Sequence, residues 1–227
     1  MTAPVQLTFD LPQRTARSRA AFLVAPSNRD AVALIDRWRE WPEGRAALIG
    51  PPRAGKSHLV EVWRHETGAQ ALPATELGAL AAPVEGALAL EDVDQLPTLG
   101  LERQKAAEIA LFHLYNRQNA ARWPLLMTGR REPSLWKLEL ADLRSRVATL
   151  PLARIDLPDD ALLSSVLGKL FTDRQLTVGT DVIAFLLKRM ERSCEAAEAL
   201  VETLDRAALR LKRPVTVPFV REIMGWT

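Results

Sequence analysis

The sequence is poor in several things at once. A single cysteine, Cys194, excludes an internal disulfide, and three scattered histidines, His58, His65 and His113, do not make a zinc site. No apolar run approaches the roughly 18 residues of a membrane span. Residues 1–20 carry neither an apolar signal core nor a small-residue cleavage site. These absences predict a cytoplasmic protein with no membrane contact, held together by its core. Net charge is also scarce: 30 Lys and Arg against 28 Asp and Glu give +2 over 227 residues. Arg14, Arg17 and Arg19 against Asp10 account for that excess within residues 1–20, so the rest of the chain sums to zero. A neutral body excludes a broad nucleic-acid clamp, which needs a field of cations to displace phosphate counterions.

What is present is an ordinary globular mix, 48% hydrophobic and 26% charged, long enough for one large domain or two small ones. Ser27-Asn28 reads as an N-cap, followed by Ala31, Leu34, Ile35 and Trp38 at helical spacing up to Pro42. Apolar runs at Ala46–Ile49, Ala87–Leu90 and Leu125–Thr128 read as buried strands. Helical stretches at Lys56–His65 and Leu101–Ala121 separate them. Strands alternating with helices predict an α/β fold with a parallel sheet. After Pro158 only helical patterns follow, at Asp159–Gln175, Asp181–Glu191, Glu195–Lys212 and Pro218–Trp226. The expected organisation is a tail over 1–21, an α/β domain over 22–157 and a small all-helical lid over 158–227.

The strongest motif is Gly50-Pro51-Pro52-Arg53-Ala54-Gly55-Lys56-Ser57, which fits G-x-x-x-x-G-K-[ST] between a strand and a helix that opens Lys56-Ser57-His58. Glycines let successive backbone N–H groups face phosphate oxygens at a helix N-terminus. Lys56 would reach the β and γ phosphates, and the Ser57 hydroxyl would hold Mg²⁺. A strand ending Leu88-Ala89-Leu90-Glu91-Asp92 supplies the partner acids: one carboxylate for the Mg²⁺ shell (Glu91), one to polarise water (Asp92). The same residues also fit an acidic turn containing Asp92 and Asp94. Thr128, at the end of another buried strand and before Gly129-Arg130, fits a γ-phosphate sensor or a cap of the turn leading to Pro133.

Together with Leu143-Arg144-Ser145-Arg146 and a lid ending Val217-Pro218-Phe219-Val220-Arg221-Glu222-Ile223, these motifs resemble the AAA+ domain of the bacterial initiator DnaA over roughly residues 20–225. Within that superfamily the chain is most similar to the Hda group of DnaA-related regulatory inactivators. The resemblance implies an AAA+ P-loop NTPase fold with a five-stranded parallel sheet, and ADP or ATP as ligand. Gln6-Leu7-Thr8-Phe9-Asp10-Leu11 looks like the group's clamp-binding peptide: Gln6 at the pocket rim, with Leu7, Phe9 and Leu11 as apolar anchors. The segment also fits an edge strand or a disordered tail. Only Pro73–Glu85 separates the second strand from the acid pair, room for one short helix such as Thr75–Leu80, and the chain stops at Thr227. Both features lead one to expect that the initiator's two nucleic-acid readers, the single-strand insertion and the C-terminal helix-turn-helix domain, are missing.

The resemblance further implies that Arg146, or second Arg144, is an arginine finger for another subunit's ATP. The bland alternative is a salt-bridged helix face near Glu139 and Asp142. Glu195 stands where a lid sensor arginine is usual, so either Arg192, one turn away, substitutes or the sensor is absent. The implied partners are DnaA and the β sliding clamp of DNA polymerase III, with DNA reached mainly through the clamp and a homodimer open. The function implied is activation of a partner's ATPase more than the chain's own, restraining replication initiation. The rivals are a helicase loader of the DnaC or IstB kind that grips single-stranded DNA, and a nucleotide-binding adaptor of another replication machine.

Overall fold

The computed structural model describes residues 23–79 and 84–226. Five parallel strands form one sheet: β1 (Arg45–Ile49), β2 (Gln70–Pro73), β3 (Leu88–Glu91), β4 (Leu125–Gly129) and β5 (Leu152–Arg154), in the order β2-β3-β4-β1-β5. β1 lies between β4 and β5, pairing Ile49 with Gly129 on one side and with Arg154 on the other. The loops after β1, β3 and β4 therefore leave from one edge of the sheet, where ligands of open α/β sheets bind.

Helices cover both faces because both faces are apolar. Ala46 and Leu48 of β1 pack on one side with Leu126 and Ala153, under α1 (Arg29–Asp36) and α2 (Lys56–Thr67). Ala47, one residue out of phase, faces the other side with Leu125 and Met127, under α3 (Leu101–Ala121) and α4 (Ala141–Ala148). Side-chain alternation along a strand makes this division from a continuous apolar run.

The first helical stretch is shorter than its periodicity suggests. α1 ends at Asp36, and two 3₁₀ turns, Trp38–Glu40 and Pro42–Gly44, continue the chain. Trp41 turns inward to stack on Trp63 at 5.5 Å, and its indole N–H donates to the Leu34 carbonyl at 2.8 Å. That burial is worth more than another helical turn. Asn28 precedes α1 without capping it: its Oδ1 accepts from Ala25 N–H, and its Nδ2 donates to the Leu23 carbonyl. Between β2 and β3 the described residues form a 3₁₀ turn, Ala74–Ala79, in place of an α-helix.

The lid contains α5 (Asp160–Asp173), α6 (Thr180–Leu187), α7 (Cys194–Leu211) and α8 (Val217–Met224). It has its own core, in which Leu163, Leu167, Phe171, Leu186, Val201 and Phe219 are buried. Side chains of this size contribute about 1.5–3 kcal/mol each when buried. α5 and α7 are capped by the polar residues that precede their apolar runs. Asp159 accepts from Leu162 N–H at 2.7 Å, and Ser193 from Ala196 N–H at 3.0 Å. α6 stops at Leu187, short of Glu191, because the chain must turn to present Ser193 to α7.

Candidate functional site

The phosphate loop runs from the last residue of β1 into α2. Gly50 N–H donates to the Gly129 carbonyl at 3.1 Å, which ties the loop to β4. Gly50 is required sterically, since a Cβ there would lie 2.2 Å from the Ile155 carbonyl oxygen. Gly55 has φ +105, a conformation open to glycine, and Arg53 shares the left-handed region at φ 64. α2 begins at Lys56, so Gly55, Lys56 and Ser57 stand at a helix N-terminus, with exposed His58 beside them in its first turn.

Lys56 is 7% exposed, and its Nζ donates to the Gly50 and Pro51 carbonyls at 2.9 and 3.0 Å. Burial pushes its amine below the ordinary value; Asp92, then Asp94, oppose that shift, and Arg130 adds to it. A buried cation aimed at loop carbonyls suits an incoming polyphosphate.

The acid pair and the sensor strand converge on the same place. Ser57 Oγ donates to Glu91 Oε2 at 2.6 Å, so the longer glutamate side chain reaches the hydroxyl directly. These two hard oxygen donors suit Mg²⁺, which is commonly held by one or two protein oxygens together with substrate phosphates. Among the described residues no group of three or more His, Cys, Asp or Glu is assembled for a metal. Any Mg²⁺ here would therefore take most of its ligands from nucleotide and water. Asp92 has φ 54, and its N–H donates to Thr128 Oγ1 at 3.0 Å. Thr128 is 1% exposed, so its hydroxyl braces the acid pair from inside the sheet. Asp94, read above as part of an acidic turn, accepts from Arg130 N–H at 3.1 Å through Oδ2, while Oδ1 is buried without a hydrogen-bond partner. An acidic turn and an acid pair are thus both present, joined end to end.

The lid meets the loop through Arg53, which pairs with Glu191. The neighbouring Arg192 is held within the lid: Nη1 donates to Asp160 Oδ1 at 2.7 Å and Nη2 to the Pro158 carbonyl at 3.2 Å. It could reach phosphates only by releasing Asp160.

Arg144 and Arg146 lie on α4. Arg144 is exposed and donates to the Leu138 carbonyl at 2.9 Å. Arg146 is anchored more fully. Its Nε and Nη2 approach the two Asp142 oxygens at 3.2 and 2.9 Å, and Nη1 donates to Asn116 Oδ1 at 2.8 Å. Its guanidinium carbon lies 5.2 Å from the Phe112 ring centroid and 5.8 Å from that of Tyr115. Tyr115 also carries Arg45, at 3.8 Å. Arg45 is the first residue of β1, whereas the phosphate loop leaves the last. Four residues of strand, about 13 Å at about 3.3 Å each, separate those ends. The clamp-peptide residues Gln6, Leu7, Phe9 and Leu11 lie outside the described residues.

A parallel β2-β3-β4-β1-β5 sheet with a G-x-x-x-x-G-K-S loop after β1, acids at the end of β3, a buried threonine on β4 and a helical lid is the AAA+ P-loop fold. Solved structures share this fold at low sequence identity. Domain III of the Thermotoga maritima replication initiation protein DnaA aligns with TM-score 0.76 and 15% identity over 95% of this chain and 98% of its own. AMPPCP-bound DnaA from Aquifex aeolicus aligns with TM-score 0.70 and 18% identity over 86% of this chain and 67% of its own. The Thermotoga maritima RuvB Holliday junction branch migration motor aligns with TM-score 0.58 and 16% identity over 80% and 61%. Residues 160–224 match the family described as Hda, lid domain. The matched lid segment thus belongs to a chain that shares its fold with DnaA domain III.

Proposed function

We propose that this protein is a replication adaptor. It binds ADP or ATP with Mg²⁺ on its own phosphate loop and lends Arg146 to the ATPase site of DnaA. Hydrolysis there converts the initiator to its ADP form and restrains a further round of initiation. The observation that carries the reading is the separation of Arg146 from the chain's own phosphate loop. Arg146 packs with Tyr115 and Arg45 at the start of β1, so its charge is of no use to a nucleotide bound at the other end of that strand. An arginine supplied in trans neutralises charge on the transferring phosphoryl group and is worth about 10³- to 10⁵-fold in related systems.

The nucleotide-bound DnaA relatives support nucleotide as ligand. In this reading Lys56 holds the phosphates, Ser57 and Glu91 the metal, and Thr128 and Asp92 the reacting end. The backbone of Gly50–Gly55 and the flanking His58 complete the cradle, while Arg192 stays on Asp160 in the lid. Gln6, Leu7, Phe9 and Leu11 dock on the sliding clamp, which supplies the tether to DNA that a body of zero net charge outside residues 1–20 does not. Local concentration then replaces a DNA-binding surface.

The test is ATP hydrolysis by DnaA with this protein, the clamp and DNA present together and omitted one at a time. Stimulation that needs all three, and is lost with residues 1–12 deleted, is the expected result. Stimulation unaffected by removing the clamp, or steeply salt-dependent binding of the isolated chain to single-stranded DNA, would overturn the adaptor reading in favour of a helicase loader.

A further inference from the structure

The finger arginine is not a free side chain on a helix surface, and the polar group that holds it from outside its own helix has no other evident task. We infer that Asn116 on α3 is a positioning residue for Arg146, orienting the guanidinium so that its remaining N–H groups face a partner's phosphate. The inference rests on the finger reading above.

A guanidinium offers five N–H donors in a fixed plane. Here Asp142 takes the Nε side of that plane, and Asn116 takes one donor from Nη1 at 2.8 Å. Each Nη keeps a second N–H, so two donors remain, enough for a bidentate grip on a phosphoryl group. Asp142 lies four residues back on α4 and moves with Arg146, so it cannot fix the side chain relative to the rest of the protein. Asn116 belongs to a different element and can. The Phe112 ring beneath the guanidinium, one helical turn before Asn116, prevents it from folding inward.

The same stripe of α3 also fixes where α4 begins. Buried Glu108 accepts from Glu139 N–H at 3.0 Å and Leu140 N–H at 2.7 Å, and buried Gln104 donates to the Lys137 carbonyl at 2.9 Å. Residues 104, 108, 112 and 116 are successive i, i+4 positions and share one face. Two of them set the entry to α4, and two set its arginine. A long side chain loses rotamer freedom whenever it is fixed. Holding Arg146 before the partner arrives moves that loss out of the transition state, so the effect should appear in the maximal rate and not in affinity.

The experiment measures DnaA ATP hydrolysis, with clamp and DNA, against increasing concentrations of wild type, Asn116→Ala, Asn116→Asp, Arg146→Ala and the Asn116→Ala/Arg146→Ala double variant. Asn116→Ala is expected to lower the maximal stimulated rate about three- to tenfold, with the half-saturating concentration within about twofold of wild type. Asn116→Asp keeps the Oδ1 acceptor and is expected to recover most of that loss. The double variant should be no worse than Arg146→Ala alone. If Asn116→Ala does not fold, Asn116→Gln, which moves the same groups by one methylene, carries the test with the same expected drop. A full maximal rate in Asn116→Ala, or a change confined to the half-saturating concentration, would overturn the positioning role while leaving the finger intact. Persistent stimulation by Arg146→Ala would instead remove the finger reading, and this inference with it.

Discussion

The two ends of β1 carry two different kinds of polar site. At its C-terminal end, polar groups at and beyond the ends of β1, β3 and β4 are tied together: Ser57 to Glu91, Thr128 to the Asp92 backbone and Asp94 to the Arg130 backbone, with Lys56 buried. At its N-terminal end, Arg45 is buried against Tyr115, and Arg146 lies on the same ring with its side chain still 37% exposed. The first arrangement suits a ligand held from inside one chain. The second holds a cation steady at a surface and leaves donors facing outward, as the proposed role in a partner's site requires. The protein thus keeps two polar clusters apart at the two ends of one strand.

That separation can be broken from either side. The largest effect should come from Lys56→Ala, which removes a charge-assisted contact to phosphate worth about 3 kcal/mol, roughly 100-fold in affinity. Titration with a fluorescent nucleotide would read it, and Arg146→Ala measured alongside should stay within about twofold of wild type. Comparable losses for both variants would mean that the two ends form one site. On the stability side, Glu108→Ala leaves the Glu139 and Leu140 N–H groups without their acceptor, at a cost of about 2–4 kcal/mol. For a chain of this size that is a fall in Tm of about 5–10 °C, visible by circular dichroism.

A subtler effect follows from the Lys56 amine. Burial lowers its pKa below 10.5, so the unfolded chain binds that proton more tightly than the folded one. The cost to folding is therefore fully present below the folded-state pKa and fades as pH rises toward 10.5. Replacing the amine by Lys56→Met should raise Tm near neutral pH relative to wild type, and the gap should close as pH rises toward 10.5. A gap that widens with pH would mean that the loop carbonyls, and not desolvation, dominate at Lys56. The smallest effect belongs to the lid. Arg192 is committed to Asp160 through an exposed pair, so Arg192→Ala should change nucleotide affinity by no more than about twofold. A tenfold loss would return Arg192 to the phosphates.

Much of the phosphate end was legible in the sequence, because its residues are contiguous or sit at the ends of apolar runs. Gly50 to Ser57 needs only one strand and one helix to acquire its geometry. The bond from Asp92 to Thr128 was not legible as a bond, since it joins two strands 36 residues apart. β5 hid for another reason. Leu152–Arg154 is three residues long, and only Ala153 of them is buried, so no apolar run marks it. The buried polar residues of α3 were the largest omission: Gln and Glu in a helix are usually solvated, yet Gln104, Glu108 and Gln118 are buried. Their partners are backbone groups in segments remote in sequence, and residue type alone does not point to such partners.

The central claim is that Arg146 serves another subunit's nucleotide. ATP hydrolysis by DnaA, measured with clamp, DNA and the Arg146→Ala variant, tests it most directly. Stimulation should fall by about 10³-fold or to the level of DnaA alone, while the variant still binds nucleotide and clamp as wild type does. Stimulation that persists undiminished would contradict the account.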